Sequence, residues 1–208
     1  MSENGFTVWI IGLPSAGKTT LGRMLAGALV GQGLKVHQID GDEVRKGLSA
    51  DLDYSRRGRH LNNLRTAYVA GLLNRYGVNT VVSQITPYQD TRREVRQGLP
   101  RFVEVYLDCP LDQLINRDVK GMYKRALAGE IKNFTGLDDP FEAPVDADLI
   151  LYTCRENPSE SLSRILNLLR DKDWLPHAEA CVPPEPESPY TPEEEAVVKA
   201  RLRDLGYL

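Results

Sequence analysis

The residues with the clearest chemistry form one loop, Gly12-Leu13-Pro14-Ser15-Ala16-Gly17-Lys18-Thr19. Glycine lets consecutive backbone N–H groups curl around a phosphate, and a helix starting at the loop's end turns its positive pole toward the same anion. Lys18 then bridges the β- and γ-phosphates of a nucleoside triphosphate, and the Thr19 hydroxyl reaches Mg²⁺. The context fits, because an apolar run precedes the loop and an amphipathic pattern follows it. A second feature, Ile39-Asp40-Gly41-Asp42, puts two carboxylates at the end of another apolar run. One can support the Mg²⁺ shell while the other takes the proton of an attacking hydroxyl. The plainer alternative is a strand-end turn that favours Asp and Gly. The Asn-Lys-x-Asp signature of guanine binding does not occur, and Asn116-Arg117-Asp118 has the wrong spacing. The pattern predicts a kinase using ATP and Mg²⁺, with Lys18, Asp40 and Asp42 catalytic and Thr19 and Asp40 on the metal.

Such side chains need strands to carry them. Apolar runs rich in β-branched residues occur at Thr7–Ile11, Lys35–Ile39, Val78–Ile85, Phe102–Cys109 and Leu149–Thr153. Between them, Lys18–Gly31, Arg59–Arg75 and Glu160–Lys172 carry apolar residues at three- and four-residue spacing. This alternation predicts an α/β fold, a P-loop NTPase-type three-layer sandwich with a mainly parallel five-stranded sheet and helices on both faces. The stretch Lys120–Pro144 is basic, glycine-containing and without a strand period, and is expected to be a mobile lid. Prolines crowd together after Asp173, so residues 1–175 are expected to form the kinase domain and 176–208 a linker with a C-terminal helix starting near Thr191-Pro192.

The bulk composition narrows the partners. The chain has 208 residues, 41% hydrophobic and 26% charged, with a net charge of −3. That balance gives no general pull toward nucleic acid or anionic membrane, so phosphate binding must come from local basic clusters. Cys109, Cys154 and Cys181 are odd in number and without a C-x-x-C pair, which fits free thiols in a reducing compartment. No basic-then-apolar leader and no bilayer-length apolar run is present, and a cytoplasmic, non-membrane protein is expected.

Basic residues gather at Arg45, at Arg56, Arg57, Arg59 and Arg65, and at Lys120, Lys124, Arg125 and Lys132. Arg56, Arg57, Lys124 and Arg125 read first as solvated helix faces. Three segments go further: Asp40-Gly41-Asp42-Glu43-Val44-Arg45-Lys46-Gly47-Leu48, Arg117-Asp118-Val119-Lys120-Gly121-Met122-Tyr123-Lys124, and Ala128-Gly129-Glu130-Ile131-Lys132-Asn133-Phe134-Thr135-Gly136. In these the chain, over about Val8 to Thr153, resembles the adenylylsulfate kinases, which phosphorylate the ribose 3'-hydroxyl of adenosine 5'-phosphosulfate. The resemblance implies that Asp42, Arg45, Tyr54, Arg59, Asn62, Ile85, Thr86, Lys120, Asn133 and Phe134 hold the acceptor nucleotide. It also implies that Thr20 and Arg117 join the loop residues in binding ATP, that Thr86 and Lys120 belong to the catalytic set, and that the chain forms a homodimer. The residue types agree: arginines fork onto phosphate or sulfate, Tyr54 and Phe134 can sandwich a base, and Lys120 can stabilise charge on the transferred group. Phe134 is expected to sit in a polar lid with little core to join.

The chain departs from the family pattern at Pro14, Gly58, Leu61 and Leu64, and Thr86-Pro87 replaces Ser-Pro, the serine being the proposed phosphoserine of some members. Two other readings stay open. One is a relative acting on another nucleotide derivative, for instance a cytidine diphosphoramidate-type intermediate of surface polysaccharide modification. The other is a non-catalytic nucleotide-binding regulatory domain, against which the presence of both Asp40 and Asp42 counts.

Overall fold

The structure, a computed structural model, describes residues 4–175; the linker and helix expected for 176–208, and Cys181, lie outside the described residues. Five strands form one parallel sheet in the order β2-β3-β1-β4-β5. They are β1 (Thr7–Ile11), β2 (Val36–Asp40), β3 (Asn79–Ser83), β4 (Phe102–Asp108) and β5 (Leu149–Tyr152). Seven helices are described: α1 (Lys18–Gly31), α2 (Gly41–Lys46), α3 (Arg56–Arg75), α4 (Gln89–Gln97), α5 (Leu111–Arg117), α6 (Met122–Leu127) and α7 (Pro158–Asp171).

Strand alternation builds two cores. Along β1, Val8 and Ile10 join Leu21, Leu25 and Leu29 of α1 and Ile165 and Leu169 of α7 on one face. Trp9 and Ile11 turn the other way to meet Ala67 and Ala70 of α3 and Val95 of α4. Because both faces are covered, the central strands β1 and β3 are buried along their whole length; β1 reads as a continuous apolar or β-branched run, while β3 has the polar residues Asn79 and Ser83 at its two ends.

Helix starts follow local chemistry. The Ser55 side chain accepts the Gly58 N–H, so α3 begins at Arg56, three residues before the apolar period becomes visible. Asn157 and Glu160 form a capping box with Pro158 in the first turn of α7. By contrast, no side chain caps α1, which leaves its first N–H groups to an anion. Helix α4 escaped the periodicity reading because Gln89–Gln97 contains one buried apolar side chain, Val95, among charged residues. The Lys120–Pro144 stretch is irregular apart from α6 and an isolated bridge between Thr135 and Asp139. Cys109 and Cys154 are free thiols, and among the described residues no helix is long and apolar enough to cross a membrane.

Candidate active site

The phosphate loop closes the gap between β1 and α1 with unusual backbone geometry. Gly12 has φ 148°, Gly17 φ 97° and Ser15 φ 61°. At Gly12 a Cβ would also meet the Leu107 carbonyl oxygen at 2.8 Å, so glycine is required there on two counts. The Lys18 ammonium folds back onto the loop, donating to the carbonyls of Gly12 (2.9 Å) and Leu13 (2.7 Å). Burial in that cradle pulls its pKa down to about 7, against the raising influence of Asp42 and Asp40. Bound phosphates would supply the missing negative charge.

From the loop a chain of hydrogen bonds crosses the site. The Thr19 hydroxyl donates to Asp40 Oδ2 (2.7 Å), and Asp40 Oδ1 accepts the Asp42 N–H (2.9 Å), which caps α2. The Asp42 carboxylate in turn pairs with Lys120, whose pKa that hydrogen bond raises. Residues about 100 positions apart in sequence, Thr19 and Lys120, are thus linked, because β1 and β2 flank β3 in the sheet and Lys120 reaches Asp42 just after the end of β2. Thr19 and Asp40 form a hard-oxygen pair of the kind Mg²⁺ uses with its remaining positions left to water and phosphate.

Beside the loop lies a cavity of about 310 Å³ lined by Ser15, Ala16, Gly17, Thr20, Arg117 and Thr153, among others. Arg117 is fixed there by donating to the Thr153 carbonyl (2.6 Å). This brings Thr20 and Arg117 to the triphosphate loop, where a nucleoside can attach.

Among the residues expected to hold the acceptor, Arg45 donates to the carbonyls of Leu52 (3.1 Å) and Asp53 (2.7 Å) and lies 4.6 Å from the centroid of the Tyr54 ring. Arg59 lies 5.6 Å from the same ring and donates to the Tyr54 carbonyl (2.9 Å) and to the Asn133 carbonyl. Tyr54 is 58% exposed, so one ring carries two cations and still meets solvent. Asn62 is buried on α3 with its Oδ1 unpartnered, Ile85 is half-buried after β3, and Asn133 is exposed with φ 56°.

Gly58, one of the departures from the family pattern, has a local cause. A Cβ at that position would lie 2.3 Å from Asp53 Oδ1 and 2.4 Å from the Asp53 carbonyl oxygen. Asp53 takes that space, accepting from the Ser55 N–H and hydroxyl while its carbonyl holds Arg45. Leu64 packs partly buried against the α3-side core.

Two expectations are corrected. Phe134 does have a core to join: it is 4% exposed and meets the buried Tyr123 ring edge-on at 4.9 Å between centroids. Its neighbour Gly136, with φ 95°, is pressed against Leu13, so the Phe-Thr-Gly turn packs onto the phosphate loop. Thr86 is fully buried, and its hydroxyl accepts from Trp9 Nε1 (2.8 Å) and donates to Asn63 Oδ1 (3.0 Å). The hydroxyl's proton and one of its two accepting positions are thus used to bridge Trp9 and Asn63, and none of the hydrogen bonds described around Asp42 reaches it.

Sequence reasoning missed the residues that anchor the 118–144 segment. The Tyr88 hydroxyl meets both Asp139 carboxylate oxygens at 3.0 Å, and burial raises its pKa to about 12. Asp138 accepts the N–H groups of Asn133 and Phe134, and Asp118 those of Tyr123 and Lys124. The Asp138-Asp139 pair directly after Phe134-Thr135-Gly136-Leu137 was the available signal, since acidic residues after a glycine turn commonly accept backbone N–H groups.

Comparison with known proteins identifies the family. The sequence profile of the adenylylsulphate kinase family matches residues 4–152. The chain is 45% identical over 175 residues to the adenylyl-sulfate kinase of Synechococcus sp. (strain JA-3-3Ab), covering 84% of this chain and 99% of that protein. It is also 45% identical over 179 residues to a probable bifunctional SAT/APS kinase 2 of Sorangium cellulosum, covering 86% of this chain but only 31% of that longer protein. Among solved structures, the Mycobacterium tuberculosis APS kinase CysC in complex with AMPPNP and APS superposes with a TM-score of 0.78 at 36% identity, covering 80% of this chain and 98% of the other. The chain belongs to the adenylylsulphate kinase family.

Proposed function

We propose that this chain transfers the γ-phosphoryl group of ATP to the 3'-hydroxyl of adenosine 5'-phosphosulfate, giving 3'-phosphoadenylylsulfate. The observation that carries this reading is the continuous chain Thr19–Asp40–Asp42–Lys120, which joins the triphosphate loop to the acceptor side. In a phosphoryl transfer the protein mainly positions two anions and neutralises the charge between them. Lys18 and the open N–H groups of α1 hold the donor phosphates. Thr19 and Asp40 would hold Mg²⁺, which when bound neutralises charge on the β- and γ-phosphates. Asp42 orients the acceptor hydroxyl and takes its proton. Lys120, released from Asp42 as that proton arrives, turns its charge to the transferring group. Tyr54 offers a face for the acceptor base, and Arg45 and Arg59 lie where they can meet its anionic end. A homodimer is part of the same proposal.

The test supplies Mg-ATP with adenosine phosphosulfate and, in parallel, with cytidine and other nucleotide derivatives, and follows ADP release. Turnover with the phosphosulfate above all others is expected. Turnover with a different nucleotide alone would assign the site to that acceptor.

A further inference from the structure

Gln84 stands out among the buried polar residues. It follows directly on β3 and is 3% exposed, yet among the described residues neither Nε2 nor Oε1 has a hydrogen-bond partner. Only its backbone is engaged, donating to the Ile10 carbonyl (3.2 Å) just before the phosphate loop. On its other side, Ser83 pairs with Asp40, and a Cβ added to Gly41 would come within 3.0 Å of Gln84 Cγ. The carboxamide therefore branches from the corner between the loop and the Asp40-Gly41-Asp42 turn. Leaving a donor and an acceptor dry in such a place is costly, and an apolar side chain of similar size would serve the fold better. No described residue supplies the missing partner, and a bound ligand would.

The chemistry of the acceptor narrows that partner. Its anionic end suits Arg45 and Arg59, and its base suits the Tyr54 face. What remains is the sugar, and a hydroxyl both accepts and donates as a carboxamide requires, whereas a phosphate or sulfate oxygen would leave Oε1 unmatched. On the proposed reading Asp42 takes the 3'-hydroxyl, which places the vicinal 2'-hydroxyl beside it. We propose that the Gln84 carboxamide binds the acceptor's ribose through its 2'-hydroxyl and so helps select the acceptor. This rests on the function proposed above. Asn62, also buried, is a second group proposed for the acceptor side, and its Oδ1 has no hydrogen-bond partner among the described residues.

Gln84→Met and Gln84→Leu in the full chain test this, both removing the carboxamide, Met keeping the length of the side chain and Leu shortening it. The readouts are KM for ATP, KM for adenosine phosphosulfate and for its 2'-deoxy analogue, and Tm. The expected result is an acceptor KM raised about tenfold or more, an unchanged KM for ATP, and a Tm equal to or above that of the unsubstituted chain. The 2'-deoxy analogue should be penalised with the unsubstituted chain and no longer with the variants. An unchanged acceptor KM with a lowered Tm would overturn the proposal and give the amide to a buried water within the fold. An equal 2'-deoxy penalty before and after substitution would overturn the contact with that hydroxyl. Absence of turnover with the phosphosulfate in the unsubstituted chain would remove the proposed function and this assignment together, and it would be seen before any substitution is compared.

Discussion

Lys18, Asp42 and Thr86 differ in what surrounds them, and each makes a distinct prediction. Lys18 gives the fold only two hydrogen bonds to loop carbonyls. Lys18→Ala should therefore leave Tm nearly unchanged while lowering kcat/KM by about a hundredfold or more, the scale expected for a charge aimed at the transferring group. Asp42 pairs with Lys120 at an exposed position, with the side chains 66% and 61% accessible. Screened pairs of that kind add little stability. Asp42→Asn should keep nucleotide affinity and Tm and lose transfer, which calorimetric titration with an ATP analogue alongside an ADP-release assay would resolve; full transfer in that variant would remove Asp42 from the chemistry. Thr86→Val leaves Trp9 Nε1 and Asn63 Oδ1 buried without partners, so chemical denaturation should show a loss of about 1–3 kcal/mol. The folded fraction should still turn over, whereas a phosphoenzyme at Thr86 would make the variant inactive however well it folds.

Among the elements, β4, β5, α4 and α7 converge on one carboxylate. Asp148, directly before β5, accepts from Arg96 of α4 (2.8 Å) and from the Glu104 N–H (2.8 Å), and lies 3.5 Å from Lys172 beyond α7. Burial alone would raise its pKa, but the Arg96 and Glu104 hydrogen bonds outweigh it and hold the carboxyl below the usual range. A depressed folded-state pKa stabilises fully above the unfolded value of about 3.9 and loses that stabilisation as pH falls through the lower folded value. Asp148→Asn should therefore destabilise the chain at pH 7, by about 1–3 kcal/mol, and the difference from the unsubstituted chain should close in acid, as denaturant curves at a series of pH values would show. The strands were legible in the sequence because parallel strands packed between helices are rich in apolar and β-branched residues, most clearly β1 and the Val103–Leu107 part of β4. α4 was not, since its inward face is built from Val95 together with the polar Thr91 and Arg92, whose burial depends on tertiary partners such as Glu104. The first turn of α3 was hidden in the same way, its start being set by Ser55 before any apolar residue appears.

For the whole molecule, the donor half of the site was readable because one contiguous loop carries it, with strand and helix context on either side. The residues proposed to hold the acceptor come from α2, the turn before α3, the end of β3 and the 118–144 segment, and only the resemblance brought Arg45, Asn133 and Phe134 together in advance. Even then burial could not be foreseen: Phe134 closes onto Tyr123, Thr86 turns inward, and Gly58 serves a turn made by Asp53. That division between a local donor site and a dispersed acceptor site makes the product the most direct test of the account. ATP labelled in its γ-phosphate is incubated with adenosine phosphosulfate and the chain, and the position of the label in the product is determined by phosphorus NMR and mass spectrometry. One labelled phosphoryl group on the ribose 3'-oxygen, with the phosphosulfate intact, is expected. Label found only in inorganic phosphate, or on another atom of the acceptor, would contradict it.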